Sequence, residues 1–286
     1  MSGRLYLCAT PIGNLSDITL RVIETLKNVD LIAAEDTRNT IKLLNHFDIK
    51  TTMTSYHEHN KYDKAKELVC RLLEGKDIAL VTDAGTPGIS DPGEELVKEA
   101  YAAGVEVTSL PGACALPVAL SLSGLSSRRF VFEGFLPADK KEKAKALKRL
   151  DGETRTIVLY EAPHRVIKTL EELYAVLGGR NIRICRELTK IHESVLAFTI
   201  EEAITYFKEN EPRGEMVLVI EGADERLLEE EARASFKEMS TAEHVQMYMD
   251  KGLSQKEAMK QAAADRGVSK RDIYSELKIR DHESGI

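Results

Sequence analysis

The 286-residue chain has no tryptophan, eight prolines, an aromatic content of 6% and four cysteines. Cys8, Cys70, Cys114 and Cys185 lie far apart, with no C-x-x-C pair. That argues against a thiolate zinc site and against a secreted disulfide framework, and fits a reducing cytoplasm. No apolar run approaches the roughly 18 residues that a membrane span needs. Met1-Ser2-Gly3-Arg4 leads straight into a strand-like run instead of a signal core. A cytoplasmic protein with no membrane partner is expected. Neither a G-x-x-x-x-G-K-[ST] loop nor a G-x-G-x-x-G turn after the first strand is present, which disfavours nucleoside triphosphates and NAD. Basic residues are not in excess: 40 Lys and Arg stand against 47 Asp and Glu, a net charge of −7. Nucleic acid therefore cannot coat the whole surface, and any such contact must be a local patch.

What is present is core-forming material: 43% of residues are apolar and 30% charged, the balance of a globular protein. At roughly 100–200 residues per domain, two or three domains fit. Short apolar runs at 5–9, 29–34, 53–56, 78–82 and 105–110 alternate with helix-period segments, of which 17–28, 61–73 and 94–103 are the clearest. Such alternation predicts a mostly parallel sheet covered on both faces. The pattern restarts beyond residue 125 with runs at 130–135, 157–160, 182–186, 194–199 and 216–220. The third and fourth of these are joined by a short link, so an antiparallel pair, and hence a second, mixed sheet, is expected.

From about Asp224 the chain turns polar and helical. Ser240-Thr241-Ala242-Glu243 and Ser254-Gln255-Lys256-Glu257 match the capping box, and Ser269-Lys270-Arg271-Asp272 is a weaker version. Gly252 and Gly267 stand where helices should stop. Three short helices are predicted, the last two with helix-turn-helix proportions. Residues 251–280 carry eight basic and four acidic side chains. Two uses stay open, a helical hairpin for dimer packing or as a solvated tail, and nucleic-acid contact. The expected domains are 1–118, an α/β domain with binding loops, 119–223, a second α/β domain closing the cleft, and 224–286, a helical C-terminal domain.

The most informative stretch is Val81-Thr82-Asp83-Ala84-Gly85-Thr86-Pro87-Gly88-Ile89-Ser90-Asp91-Pro92-Gly93. This density of Gly and Pro at the carboxyl end of a central strand brings backbone amides and carbonyls close to a ligand. Thr10-Pro11-Ile12-Gly13-Asn14-Leu15 follows the first strand, and Pro111-Gly112-Ala113-Cys114-Ala115-Leu116-Pro117 follows the fifth. Ligands of open parallel sheets collect outside the carboxyl ends of the strands, so the three loops outline one cleft. Their small residues predict a lining nearly free of charge, suited to a neutral or zwitterionic small molecule and not to a polyphosphate or metal ion.

Glu35-Asp36-Thr37-Arg38 reads as a substrate-facing charged cluster or as a plain helix-start cap. His57-Glu58-His59-Asn60 offers two imidazoles without a third ligand cluster, and a surface loop is expected. Leu159-Tyr160-Glu161-Ala162-Pro163-His164-Arg165 ends a strand and opens a helix. Arg186-Glu187-Leu188-Thr189-Lys190-Ile191-His192-Glu193 either meets a polyanion or forms surface ion pairs of small consequence. The helix at 139–150 sets Lys140, Lys141, Lys143, Lys145, Lys148 and Arg149 against Asp139 and Glu142, as a phosphate-facing patch or a solvated face.

Taken together, Leu7-Cys8-Ala9-Thr10-Pro11-Ile12-Gly13-Asn14-Leu15, Ala33-Ala34-Glu35-Asp36-Thr37-Arg38, 82–93, 110–117, 160–165 and 187–190 resemble the ribosomal RNA small subunit methyltransferase I family. That family sits on the tetrapyrrole-methylase fold, and the resemblance spans the whole chain. It implies an α/β homodimer with a parallel-sheet N-terminal domain, a mixed-sheet second domain and a small all-α C-terminal extension. It also implies methyl transfer from S-adenosylmethionine to the ribose 2′-oxygen of a cytidine in the decoding region of 16S rRNA, within the small ribosomal subunit and without a metal.

Carried over position by position, the resemblance assigns Asp83, Gly85, Thr86, Gly88, Ile89 and Ser90 to the methionine end and ribose of the cofactor, bordered by Pro11 and Gly13. Cys114, Ala115 and Leu116 would pack near the methionine, and Tyr160, Leu188, Thr189 and Gly214 would form the adenine side. Where tetrapyrrole methylases have Gly-Asp-Pro, this chain has Gly85-Thr86-Pro87. Glu35, Asp36, Arg38, Arg165 and Lys190 are expected to ring the nucleotide, with Lys190 deprotonating the hydroxyl or stabilising the alkoxide. A methylase of the same fold acting on a small macrocycle and a non-catalytic RNA-binding factor are the competing readings. The basic helix and the C-terminal helices favour RNA over a macrocycle.

Overall fold

Strands that are apolar at every position need cover on both faces. In the computed structural model, which describes residues 2–283, the first sheet has it. The strands are β1 (Arg4–Cys8), β2 (Leu31–Ala34), β3 (Met53–Ser55), β4 (Ile78–Val81) and β5 (Glu106–Leu110). All pair in parallel, in the order β3-β2-β4-β1-β5. Every residue of β2 and β4 is buried. Leu31, Ala33, Ile78 and Leu80 face α3 (Lys61–Leu73) and α4 (Gly93–Ala102). Ile32, Ala34, Ala79 and Val81 face α1 (Leu20–Asn28) and α2 (Thr37–His46) on the other side. Each of the larger apolar side chains so buried stabilises the fold by about 1.5–3 kcal/mol.

The chain leaves β1 toward β2 on one side and β4 toward β5 on the other, so adjacent strands β1 and β4 send their loops to opposite faces. That divergence is the topological switch point at which open sheets bind ligands.

The second sheet contains β6 (Phe130–Phe135), β7 (Thr156–Glu161), β8 (Asn181–Arg186), β9 (Ser194–Thr199) and β10 (Met216–Ile220), in the order β6-β7-β10-β8-β9. Only β6 and β7 run parallel, so the sheet is mixed as expected. α6 (Lys140–Leu150), α7 (Val166–Leu177) and α8 (Ile200–Glu209) bury one face. α5 (Ala115–Ser123) buries the other, where Ile12 from the loop after β1 joins it.

Three local expectations change. The helix foreseen from Asp17 is a 3-10 turn, Leu15–Asp17, followed by α1, because the Thr19 hydroxyl accepts from Val22 N at 3.2 Å and starts the helix there. Val29 ends α1 instead of opening β2. α2 went unforeseen. Asp36 caps it by accepting from Arg38 N at 2.8 Å, so at Asp36 the helix-cap alternative is the one realised.

Residues Met1–Gly222 form one unit and Ala223–Ile286 another. The second contains α9 (Glu225–Glu238), α10 (Thr241–Asp250), α11 (Gln255–Arg266) and α12 (Lys270–Glu283), four helices where three were expected. α9 opens on an Asp224 side chain that accepts from Arg226 N, without a Ser/Thr capping box, and this explains its omission. Both capping boxes are present, and Gly267 takes the left-handed conformation that ends α11. The core is small: Val245, Ala258, Met259, Ala262, Ala263 and Ile273. Arg266, counted in the basic excess, is spent internally, donating to His244 Nδ1 at 3.0 Å and to the Met239 carbonyl. Burial, with Arg266 second, lowers the His244 pKa.

Candidate active site

Hydrogen bonds knit the three loops at the carboxyl ends of the first sheet into one surface. Thr10 and Gly85 exchange backbone bonds of 2.9 and 3.0 Å. Thr10 Oγ1 donates to the Thr82 carbonyl at 3.2 Å, and Thr86 Oγ1 donates to that of Ala113 at 3.0 Å. Asp91 shapes the central loop from within. Its carboxylate accepts from the amides of Gly88, Ile89 and Gly93 at 2.7–3.0 Å, so it is a loop builder and not a free acid. Gly85 and Gly88 both have φ of +86°, where a side chain is strained.

The second sheet supplies the opposite wall. Tyr160 at the end of β7 accepts from Leu116 N at 3.1 Å, which ties α5 to the sheet. Its ring stands edge-on to Phe132 and Phe135. Burial, then Cys114, raises the Tyr160 phenol pKa, so the hydroxyl stays protonated. The turn after β8 brings Glu187, Leu188 and Lys190 to the same space, with Lys190 Nζ 3.0 Å from Glu187 Oε1. It packs against the first loop so tightly that a Cβ on Gly13 would lie 2.5 Å from Lys190 Cγ and 2.9 Å from Thr189 Oγ1. Four described non-glycine residues have positive φ: Asp48, Ser90, Glu187 and Thr189. Three of them border this space. Backbone held in such conformations concentrates at working sites.

Between the walls lies a cleft of about 330 Å³, at the lower end of the range for small-molecule sites. Of the residues named from sequence, Glu35, Asp83, Gly85, Thr86, Ile89, Ser90, Cys114, Ala115, Tyr160, Leu188 and Lys190 line it. Pro11, Gly13, Gly88, Leu116, Thr189 and Gly214 are not lining residues. Gly13 lies against the 188–190 turn, Gly214 would place a Cβ 2.1 Å from Glu187 Oε1, and Leu116 reaches Tyr160 through its amide.

Asp36, Arg38 and Arg165 also lie outside the lining. Asp36 and Arg38 pair with each other at 2.7 Å. Arg165 donates to the Leu136 carbonyl at 2.7 Å and sits 3.3 Å from the buried Glu161. In the helix at 140–150, Lys143 pairs with Glu172 and Lys145 with Glu142, which leaves Lys140, Lys141 and Lys148 without ion pairs among the described residues.

The expectation of an uncharged lining is overturned. Glu35, Asp83, Asp91, Glu161, Glu187 and Glu215 all line the cleft, against Lys190. The central loop itself contributes Asp83 and Asp91, Glu35 follows β2, and strand ends of the second sheet add three glutamates that only sheet pairing delivers. Met216 and Val217 of β10, and Cys185 of β8, were missed for the same reason. Ile12 and Phe135 adjoin named motifs and are legible beside them. Burial raises the Glu35 pKa against a weaker opposing bond from Asp83 N, and Asp83, Asp91 and Asp36 add to the rise. A carboxylate so placed is disposed to take a proton. Among the described residues no group of three or more His, Cys, Asp or Glu is arranged to hold a metal ion.

The model of the tetrapyrrole (corrin/porphyrin) methylases matches residues 4–204. The chain is 51% identical over 273 residues to a protein named ribosomal RNA small subunit methyltransferase I of Halalkalibacterium halodurans, covering 96% of this chain and 94% of that one. It is 48% identical over 278 residues to the protein of that name from Bacillus subtilis, covering 97% and 95%. Among solved structures, the methyltransferase CobJ superposes with a TM-score of 0.61 at 18% identity, covering 78% of this chain and 95% of that one. Diphthine synthase gives 0.60 at 16%, covering 77% and 90%. At such identities these structures attest the fold alone.

Proposed function

The chain belongs to the tetrapyrrole methylase family, and from that premise we propose that it methylates the ribose 2′-oxygen of a cytidine in the decoding region of 16S rRNA, using S-adenosylmethionine. It would work in the cytoplasm on the small ribosomal subunit, as a homodimer. Segments 1–118 and 119–223 would close on the cofactor, and 224–286 would contact RNA. One observation carries the reading. An acidic cleft at the sheet's switch point, walled by apolar groups, lies in a chain half identical to proteins named for methylating that RNA.

The residues fit the cofactor. Its net positive charge suits carboxylates at Glu35, Asp83, Glu187 and Glu215, its heterocycle suits the Tyr160, Leu188 and Met216 wall, and Thr189 Oγ1 is buried without a partner in the turn that closes the cleft. When bound, S-adenosylmethionine supplies an electrophilic methyl group.

The chain's own residues do the remaining work. Lys190, whose Nζ lies 3.0 Å from Glu187 Oε1, is the lysine of the lining and is placed to stabilise an alkoxide. Glu35, with its raised pKa, is the group that receives the hydroxyl proton. Closed on the cofactor, the two walls would exclude water and align the reactants.

The test is calorimetry with S-adenosylmethionine, followed by mapping of methyl groups in small-subunit rRNA incubated with the protein. Binding without any transfer to RNA supports the macrocycle reading. No cofactor binding, with RNA bound, supports the non-catalytic one.

A further inference from the structure

Side chains alternate between the two faces of a strand, so a regular β6 would send Phe132 and Gly134 to the α5 face of the second sheet and Val131, Glu133 and Phe135 to the face under α6–α8. Val131 and Phe132 obey, packing into the cores on those two faces. Phe135 does not. The register of β6 on β7 shifts between Phe132↔Val158 and Gly134↔Leu159, which leaves Glu133 as an extra residue. Beyond that point the faces are exchanged. Leu136 is buried in the core under α6–α8, while Phe135 falls opposite Tyr160 and lines the cleft. Bulges are uncommon between parallel strands, and beside active sites they re-aim a side chain.

What this bulge re-aims is a ring left in water. Phe135 is 48% exposed, and it meets Tyr160 edge-on, with centroids 5.6 Å apart and planes at 60°. Ile89 of the central loop, 37% exposed, lines the same cleft. Their chain neighbours touch: Gly134 has a φ of +62°, and a Cβ there would lie 2.6 Å from Ser90 Oγ. Ser90 itself has a φ of +62°. Backbone is thus held in two uncommon conformations where bulge and loop meet, with an exposed apolar side chain beside each.

The registers Phe135↔Tyr160, Tyr160↔Val217 and Val217↔Cys185 set four lining residues in one row across β6, β7, β10 and β8. Neighbouring strands are about 4.8 Å apart, so Phe135 lies roughly 10 Å from Val217 and 14 Å from Cys185. Rings in contact have centroids about 4.5–7 Å apart. A cofactor heterocycle seated against Leu188 and Met216 therefore cannot also cover Phe135, and the ring is left for a second planar group.

We infer that Phe135, together with Ile89, is the platform on which the base of the acceptor nucleotide stacks, so that its ribose is presented to the cofactor. Unpaired bases of RNA are held on aromatic rings in this way, and the contact is uncharged. The carboxylates that dominate the lining disfavour a phosphate here, whereas a neutral base meets no such repulsion. The inference rests on the reading that the acceptor is RNA and the donor S-adenosylmethionine.

The test uses the full-length chain as Phe135→Ala, Phe135→Leu and Phe135→Trp, probed with S-adenosylmethionine and with an RNA fragment of the small-subunit decoding region. Phe135→Ala should weaken RNA binding roughly 5- to 150-fold. Cofactor affinity should stay within about twofold, and the slope of log affinity against log salt should not change, because no phosphate contact is lost. Phe135→Leu keeps apolar bulk without a ring and should stay weak, while Phe135→Trp should bind RNA like wild type. The chain has no tryptophan of its own, so the emission of that variant reports this site alone and should be quenched by RNA and not by the cofactor.

An equal loss for the cofactor, or quenching by the cofactor alone, assigns the ring to the adenine and overturns the inference. Full RNA affinity in Phe135→Leu reduces the contact to apolar bulk, and a changed oligomeric state with RNA affinity kept makes the ring a contact between copies of the chain. Either result overturns it. Variants indistinguishable from a competent wild type refute the inference alone, whereas wild-type protein that does not bind the RNA refutes the proposed function and the inference with it.

Discussion

The contact between the loop after β1 and the turn after β8 joins the two sheets across the cleft, and Gly13→Ala tests it. A Cβ there would lie 2.5 Å from Lys190 Cγ, 2.9 Å from Thr189 Oγ1 and 3.0 Å from the Leu188 carbonyl. Ordinary contacts are about 3.5–4.0 Å. The lysine side chain can swing aside, but Leu188 is buried and the turn is held by Lys190 N donating to the Glu187 carbonyl at 3.0 Å, so the two loops must part. Overpacking of this kind costs about 1–3 kcal/mol. For a unit of about 220 residues each kcal/mol lowers the melting temperature by roughly 2–4 °C, so differential scanning calorimetry should read a fall of about 2–12 °C. Calorimetric titration should show weaker S-adenosylmethionine binding, because parting the loops opens the cleft.

Two controls sharpen the result. Gly152→Ala, where a Cβ meets nothing within 4 Å, should change stability by no more than about 0.5 kcal/mol. Thr189→Ala removes one of the clashing atoms and should recover part of the loss in the double variant. If Gly13→Ala melts with Gly152→Ala and binds the cofactor like wild type, the account of how the cleft is closed is wrong.

Other outcomes follow from the same geometry. The raised Glu35 pKa means that its ionised form destabilises the fold. The penalty is absent below the unfolded value and full above the folded one, so Glu35→Gln should melt higher than wild type near pH 8, match it near about pH 4, and lose single-turnover methylation. In wild type the acid limb of the rate profile should lie above the ordinary glutamate range. Tyr160→Phe takes the acceptor from Leu116 N. Denaturant titration should show a loss of about 1–3 kcal/mol, and a smaller loss would mean that the amide finds another partner. Ser254→Ala breaks the capping box of α11. Hydrogen exchange should show the C-terminal unit weakened by about 0.5–2 kcal/mol while cofactor affinity holds, and a change in that affinity would contradict a cofactor cleft built by 1–222 alone.

Local chemistry alone accounts for much of this protein. Leu31 to Ala34 and Ile78 to Val81 are short, apolar throughout and alternate with helix-period segments, which points to doubly covered strands. Ser240 and Ser254 with their glutamates mark helix starts to the residue, and the Gly and Pro of 82–93 announce a binding loop before any neighbour is known. These are signals within a few residues of one another, where backbone sterics and hydrogen bonding decide. Tertiary structure decided the charge of the cleft. Glu161, Glu187 and Glu215 come from three separate parts of the chain, and only the pairing of β7, β10 and β8 turns them into one acidic wall. It also decided which cations are spent, since Arg165 and Lys190 look equally free in sequence until Glu161 and Glu187 are seen beside them. Such choices depend on which strand lies next to which, a long-range outcome of burying both sheets at once that no short stretch of residues encodes.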